Sequence, residues 1–320
     1  MAYTALNWMS QLAADRMLHQ ITIPGTHDSA THELNYPSKT QNATVPEQLD
    51  MGVRYFDLRM DGSTNGLRII HGGTWGSGNT SYYLGDIAKM FHDFLVKPAS
   101  SQETLIVQLK YDRWELSNYH AGVLDILRTA FGAEQSRLYL SPIRADNTIP
   151  TLAGLRGKLV VLRRYEIDTN EEVADACTPV KMFAKGSLYN AWSANPDNHT
   201  WASVFEGAKF EWPDTGANLN DYRNRHGLSF VIQDAYTDDP ADKVKKVLAF
   251  IEAAGKSAGP DSWYLNFSST KDPGASAEII NPQLTQKLDG SPKHPVHGYG
   301  TILMDFVTPS FVNSVIAANF

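Results

Sequence analysis

Short runs of β-branched and other apolar residues, each bounded by turn-forming residues, recur along the chain, which is the pattern of strands buried on both faces. Eight stand out: Ile21 to Ile23, Val53 to Leu58, Leu67 to Ile70, Thr104 to Leu109, Lys158 to Leu162, Ser229 to Ile232, Trp263 to Leu265 and Thr301 to Met304. Between some of them the period lengthens to that of a helix. Leu84 to Val96 sets Leu84, Ile87, Ala88, Phe91 and Leu95 on one face, and Lys243 to Ala254 does the same with Val244, Val247, Leu248 and Ile251. Alternating strands and helices, eight strands and a chain of 320 residues predict an α/β fold, a TIM-type (β/α)8 barrel rather than an open doubly wound sheet. Too few residues separate the second and third runs for a helical crossover, so the barrel is expected to be irregular, or distorted. Residues 166–225 carry Trp192, Trp201, Trp212 and many Asn and Asp, and predict a long loop region with short elements. Neither a repeat period nor a long linker divides the chain, and residues 1–320 are expected to form a single domain.

Composition narrows the class without naming a function. Apolar residues make up 42% and charged residues 20%, which excludes a disordered or fibrous chain. A chain of this length buries about 75% of its extended surface and needs no covalent staples. Cys177 is the only cysteine, so an intramolecular disulfide and a Cys-based zinc site are both excluded. Its place beside Thr178 and Pro179 suggests a structural thiol. With 28 basic against 35 acidic residues the net charge is -7, which argues against binding nucleic acid or anionic lipid by bulk attraction. An anionic substrate must then be caught by a local cluster. No run is long enough to span a membrane, and MAYTALNWMSQLAADRM lacks the features of a signal peptide, so the chain reads as cytosolic or already processed.

Each predicted strand is followed by a residue able to do chemistry. In order these are His27 with Asp28, Arg59, His71, Lys110, Arg164, Asp234 and Asp305. In a parallel barrel the C-terminal strand ends converge on one mouth, so positions far apart in sequence would line a single cavity. Any one of them alone reads as a capped turn or a rim charge. Taken together, cations and carboxylates at matching positions suit a phosphorylated, polyhydroxylated ligand. Two histidines can divide a phosphoryl transfer, one removing a proton from the attacking hydroxyl and the other giving one to the leaving oxygen. An arginine between them would neutralise the phosphate oxygens. His27, His71 and Arg59 fit these roles. The plainer reading keeps His27 as a turn residue in Pro24-Gly25-Thr26-His27-Asp28-Ser29, and His71 as a strand-end residue before Gly72-Gly73. The Gly-rich stretch after His71 has no GK[ST], and the chain has neither GxSxG nor HExxH, so P-loop, serine-hydrolase and zincin chemistry are set aside.

These residues lie in segments that resemble one family along nearly the whole chain and in order. They are ITIPGTHDSAT at 21–31, GVRYFDLRM at 52–60, IIHGG at 69–73, ETLIVQLK at 103–110, LRGKLVVLRRY at 155–165, FVIQDAY at 230–236, WYLNFSS at 263–269 with INPQL at 280–284, and ILMDF at 302–306. The sequence resembles the bacterial phosphatidylinositol-specific phospholipases C, whose catalytic barrel is of the X-box type. The resemblance implies a distorted TIM-type barrel with one domain. It further implies a phosphatidylinositol diacylglycerol-lyase that forms inositol 1,2-cyclic phosphate, followed by slow hydrolysis to inositol 1-phosphate.

Carried over residue by residue, the resemblance makes His27 the general base, oriented by Asp305. His71, bonded to Asp28, becomes the general acid. Arg59 contacts the phosphate and Asp57 beside it helps to hold the site. Lys110, Arg164 and Asp234 bind the ring hydroxyls, and Tyr236 lies against the inositol face. Calcium-dependent relatives have a carboxylate in place of Arg59, so the resemblance implies no metal, with Ca²⁺ as the alternative if Asp28, Asp57 and their neighbours gather one. The same residues also admit a phosphodiesterase acting on a different diester, and an inactive barrel that binds inositol phosphates. The expected partner is phosphatidylinositol in a membrane, engaged transiently by a secreted monomer that binds no nucleic acid. Two stretches where relatives carry membrane-inserting tryptophans read Asn35-Tyr36-Pro37-Ser38-Lys39 and Lys271-Asp272-Pro273-Gly274-Ala275. Interfacial binding is therefore expected to be weaker, or moved to Trp75, Tyr82, Tyr83 or Trp114, unless those rings serve packing.

Overall fold

A computed structural model describes residues 3–63, 66–71, 78–111, 119–139, 151–164, 200–202, 209–211, 220–223, 229–235, 239–256, 262–293 and 297–320. The chain begins with β1 (Ile23–Thr26), α1 (Val45–Met51), β2 (Tyr55–Ser63), β3 (Gly66–His71), β4 (Gly78–Tyr83) and α2 (Leu84–Leu95). It continues through β5 (Leu105–Tyr111), α3 (Tyr119–Phe131), β6 (Leu138–Tyr139), α4 (Leu152–Leu155) and β7 (Leu159–Arg164). Short strands β8 (Thr200–Ala202), β9 (Lys209–Glu211) and β10 (Asn220–Arg223) follow, in the region expected to be loop-rich. The last part holds β11 (Ser229–Gln233), α5 (Pro240–Lys256), β12 (Ser262–Phe267), α6 (Pro273–Asp289), β13 (Thr301–Met304) and α7 (Pro309–Ala317).

Eight strands pair in parallel in the order β11-β12-β13-β1-β2-β5-β7-β6, and β10 runs antiparallel on the β11 edge. The sheet is curled and helices pack against it, so the fold is a distorted TIM-type (β/α)8 barrel. Among the described residues no pairing joins β6 to β10 across the seam. Strand and helix faces account for the core. Ile106, Val107 and Leu109 of β5 and Leu159, Val160 and Leu162 of β7 are buried, against helix faces such as Leu84, Ile87, Phe91 and Leu95 of α2. Side chains cap the helix starts: Thr44 and Glu47 form a reciprocal capping box at α1, Thr308 caps α7 and Asp272 caps α6.

Two sequence expectations change. The first strand is Ile23–Thr26, not Ile21 to Ile23, because Leu18–Gln20 forms a 3₁₀ turn and the Thr22 N–H is bonded to Asn319 Oδ1 (2.9 Å). The third run is not a barrel strand. β2 continues past the mouth, and β3 returns antiparallel to it, with Met60 opposite Ile69 and Asp61 opposite Arg68. Continuing that register brings His71 back level with Leu58. A histidine expected at the mouth as a strand end thus reaches it on the returning arm of a hairpin, for which the short second connection left room.

The floor of the barrel is closed by a buried ion pair. Arg54 and Glu103 precede β2 and β5, are fully buried, and meet at 3.0 Å. The guanidinium also donates to the carbonyls of Leu49, Val53 and Ala5, while Glu103 accepts the Met9 and Ser10 N–H groups. Such satisfaction offsets the desolvation of both charges and ties the N-terminal segment to the face opposite the mouth.

Candidate active site

β1 ends by delivering His27, and the chain then turns through Asp28, whose φ of 43° is left-handed and unusual for a residue with a Cβ. The neighbouring β13 delivers Asp305 in the same way, just before Phe306 at φ 48°. The two strands run side by side, with Thr26 opposite Met304, so the residues that follow meet directly. His27 Nδ1 lies 2.8 Å from Asp305 Oδ1. A carboxylate only accepts, so Nδ1 carries a hydrogen and Nε2 is the nitrogen left for chemistry. Nε2 is 2.9 Å from Arg59 Nη2 and 3.1 Å from Asp28 Oδ2.

Asp28 sits at the centre of the group. Its Oδ1 is 2.7 Å from Arg59 Nε, and its Oδ2 lies 3.4 Å from His71 Nε2 as well as near His27. His71 Nδ1 donates to the Ser38 carbonyl at 2.6 Å, so this ring too is held with Nε2 facing the site. The two imidazole centroids are 6.2 Å apart, edge to face. Phe267 lies edge-on to His27 from β12, with centroids 6.1 Å apart. The side chains of Asp28 and Asp305 are nearly sealed from solvent, whereas Arg59 and His71 keep 19% and 17% of theirs exposed. The cluster is therefore anchored from beneath and reachable from above.

The charges favour one extra proton on this group. Burial by itself opposes a charge on His27, but the fields of Asp28 and Asp305 and the Asp305 hydrogen bond together outweigh it. They also outweigh the repulsion from Arg59, and the His27 pKa is pushed up to about 9. Burial likewise pushes the Asp305 carboxyl up, against the pull of His27. The pair titrates as a unit, with the imidazolium–carboxylate form favoured at neutral pH.

The remaining expected residues fall around this centre. Asp57, fully buried, offers a carboxylate oxygen within 4.8 Å of ligand atoms of His27 and Asp28. Its Oδ1 accepts from Gln108 Nε2 at 2.7 Å, and Gln108 is held in turn by the Tyr55 hydroxyl. The strand register puts Arg59, Lys110 and Arg164 on one line across β2, β5 and β7. Lys110 is buried, and Asp234 follows directly on β11. Tyr236, Cys177, Trp75 and Trp114 lie outside the described residues, as do the side-chain contacts of Arg164. Tyr82 packs on the core beside His32, and the Tyr83 hydroxyl and ring both engage Arg68.

Several contributors escaped the sequence pattern. Gln108 and the Ser38 carbonyl are two of them. Another is Lys243, counted only as the start of a helix. It is fully buried on α5, and its ammonium donates to Gln233 Oε1 and the Ala235 carbonyl, which brackets Asp234. Burial lowers its pKa to about 8, partly countered by Asp234 and Asp305. A lysine at an inward helical position was the available signal.

Comparison with known proteins agrees with this geometry. Residues 15–165 match the family model for the phosphatidylinositol-specific phospholipase C X domain. A 1-phosphatidylinositol phosphodiesterase of Staphylococcus aureus is 25% identical over 304 residues, covering 90% of this chain and 84% of that protein. One from Listeria monocytogenes is 26% identical over 330 residues, covering 99% and 86%. Among solved structures, a phosphatidylinositol-specific phospholipase C from S. aureus superposes with a TM-score of 0.74 at 22% identity, covering 99% of this chain and 98% of its own. The L. monocytogenes enzyme gives 0.67 at 22%, covering 99% and 100%. These superpositions establish the shared barrel.

Proposed function

Because the chain belongs to the family of phosphatidylinositol-specific phospholipases C, we propose that His27, His71 and Arg59 carry out that cleavage here, without a metal, on phosphatidylinositol presented at a membrane surface. The enzyme is a phosphatidylinositol diacylglycerol-lyase. The observation that carries the assignment of roles is the pair of imidazoles, each held through Nδ1 with its Nε2 turned to the same carboxylate, Asp28.

In the proposed reaction His27 enters neutral, having given up the extra proton of its resting form, and His71 enters as the imidazolium; the inositol 2-hydroxyl then gives its proton to His27 Nε2 as its oxygen bonds to phosphorus. The bond from phosphorus to the glycerol oxygen breaks, and that oxygen takes a proton from His71 Nε2. Diacylglycerol leaves and inositol 1,2-cyclic phosphate remains. Asp305 holds the His27 imidazolium formed in this step. Arg59 turns part of its guanidinium from Asp28 to the phosphate oxygens. Water then opens the ring slowly with the two histidines exchanging roles. The nucleophile is already part of the substrate, so much of the entropic barrier is absent from the start. Lys110, Arg164, Asp234 and Tyr236 are assigned to the inositol hydroxyls and ring face, and Asp57 to holding the site. A recognition module would need no such pair of fixed histidines, which disfavours an inactive barrel.

The residues present fit a calcium ion poorly. Ca²⁺ takes six to eight oxygen ligands. The cluster of His27, Asp28 and Asp57 offers a nitrogen among three donors, Asp28 Oδ1 already faces Arg59, and Asp57 Oδ1 is taken by Gln108. Among the described residues a calcium-dependent reading rests on that cluster alone. Turnover of phosphatidylinositol vesicles should be unchanged by EGTA. Activity that vanishes with EGTA and returns with Ca²⁺ would replace the metal-free account by the calcium-dependent one.

A membrane-borne substrate requires surface contact. The S. aureus relatives include one studied for membrane binding. Tyr36, 69% exposed, stands in the first of the two stretches that lack tryptophan and is assigned to transient interfacial contact. Action as a secreted monomer is proposed on the resemblance. Among the described residues no helix is long and apolar enough to cross a membrane.

A further inference from the structure

Both residues that flank the histidine–carboxylate pair, Asp28 and Phe306, have left-handed backbone, and they are the only non-glycine residues with positive φ among those described. Sparsely populated backbone persists only where the surroundings hold it, and here both turns are held by one short segment. The Gln41 amide donates to the carbonyl of His27 (2.9 Å) and to that of Met304 (2.7 Å), while its oxygen accepts the Val307 N–H (3.2 Å). The Thr40 hydroxyl lies 3.2 Å from the His27 carbonyl and 3.1 Å from that of Asp28, and the Thr40 carbonyl accepts the Phe306 N–H at 2.7 Å. Gln41 is fully buried and Thr40 almost so. On the far side Asn281 of α6 donates to the carbonyls of Asp305 and Phe306. Every one of these bonds ends on main chain within three residues of His27 or Asp305. None reaches toward the positions assigned to the inositol ring.

We propose that Gln41 is a positioning residue: by tying the end of β1 to the end of β13 it fixes the His27 Nδ1–Asp305 contact and so leaves Nε2 as the reacting nitrogen. The functional part of this inference rests on the phospholipase reading above, whereas the structural part does not. A parallel pair of strands leaves its C-terminal ends free to splay once the ladder stops. β1 and β13 are in register only from Ile23 with Thr301 to Thr26 with Met304. Beyond that, the His27 N–H to Met304 carbonyl bond (3.1 Å) is the last direct main-chain link, and the side chain of Gln41 supplies the next. Its three bonds need an amide with a donor end and an acceptor end at that reach. A carboxylate would keep the Val307 bond and turn the other two into repulsions between oxygens.

The test compares Gln41→Glu and Gln41→Met with the parent protein in two ways. Steady-state kinetics on a soluble phosphatidylinositol should show kcat reduced about 10- to 100-fold, as expected for a misplaced general base, with KM little changed. Proton NMR of the substrate-free protein should show the strongly hydrogen-bonded His27 Nδ1–H resonance of the parent shifted upfield or broadened in both variants. A gentler variant, Thr40→Val, keeps the Phe306 bond and removes only the hydroxyl contacts. It should move both readouts in the same direction by less, and it stands in for either Gln41 variant that fails to fold. Unchanged kcat, or lowered kcat with an unchanged Nδ1–H resonance, would overturn the proposal. Because the resonance is read without substrate, a parent protein that lacked phospholipase activity would leave that part of the test intact and would count against the functional reading instead.

Discussion

Replacing His27 with alanine should lower phosphatidylinositol turnover by about 10⁴-fold, at the upper end of what a single general base contributes. Nε2 is the nitrogen that faces Asp28 and Arg59 at the open side of the cluster, with Nδ1 committed to Asp305. No other described side chain of the cluster combines a lone pair at this place with a carboxylate to hold the resulting cation. Binding of soluble inositol phosphates should largely survive, because Lys110, Arg164 and Asp234 are carried by other strands. The same substitution changes the pH dependence of stability. The folded His27 pKa, about 9, lies above the ordinary value of 6.5. Its contribution to stability is therefore fully present below pH 6.5 and is lost as the pH rises through 9. Thermal melts of parent and variant should differ most in mild acid and converge at high pH. Near-parental turnover in His27→Ala would refute its role as the base.

His71→Ala should lower turnover of the natural lipid by about 10³-fold, and far less when the leaving group is a weakly basic phenol. The natural leaving oxygen is an alkoxide, which departs only as a proton reaches it. A phenolate carries its own charge and has little need of one. Nδ1 is engaged by the Ser38 carbonyl, so Nε2, near Asp28 Oδ2, is the nitrogen from which the ring as imidazolium gives its proton. The two histidines are thereby distinguished: loss of the base should depress both substrates, and loss of the acid should depress mainly the natural one. Equal losses on both substrates in His71→Ala would show that it does not act as the acid.

The parts of the fold that could be foreseen are those whose burial follows a simple period. β5, β7 and β13 are buried on both faces and read as continuous apolar runs, and α2 and α5 show an apolar stripe. β4 reads Gly-Asn-Thr-Ser-Tyr-Tyr and pairs with only one neighbour, β3, so no apolar alternation announces it. α6 contains Pro282 and a poorly ordered stripe, yet tertiary packing of Ile280, Leu284 and Leu288 holds it as a helix. The site was legible through the strand-end rule because a parallel sheet converts sequence positions into one spatial rim. His27, Arg59 and Asp305, which meet in the cluster, are marked that way, and Asp28 follows His27 in the turn; Lys110, Arg164 and Asp234 stand at strand ends of the same sheet. What holds them was not legible. Gln41, Thr40, Gln108 and the Ser38 carbonyl act through main-chain groups and amides brought together from distant segments, and neither period nor charge marks them. The net charge of -7 likewise conceals a local arrangement in which Arg59, Lys110 and Arg164 share one register line, so the excess acid lies mostly elsewhere.

On the proposed mechanism the inositol 2-hydroxyl attacks phosphorus under the control of two fixed histidines. Phosphorus NMR followed from the first turnover of phosphatidylinositol reads this directly. A five-membered cyclic phosphodiester should be the first water-soluble product, giving way slowly to the monoester. Inositol 1-phosphate from the earliest time, with no cyclic species before it, would mean that water is the nucleophile and would rule out attack by the 2-hydroxyl.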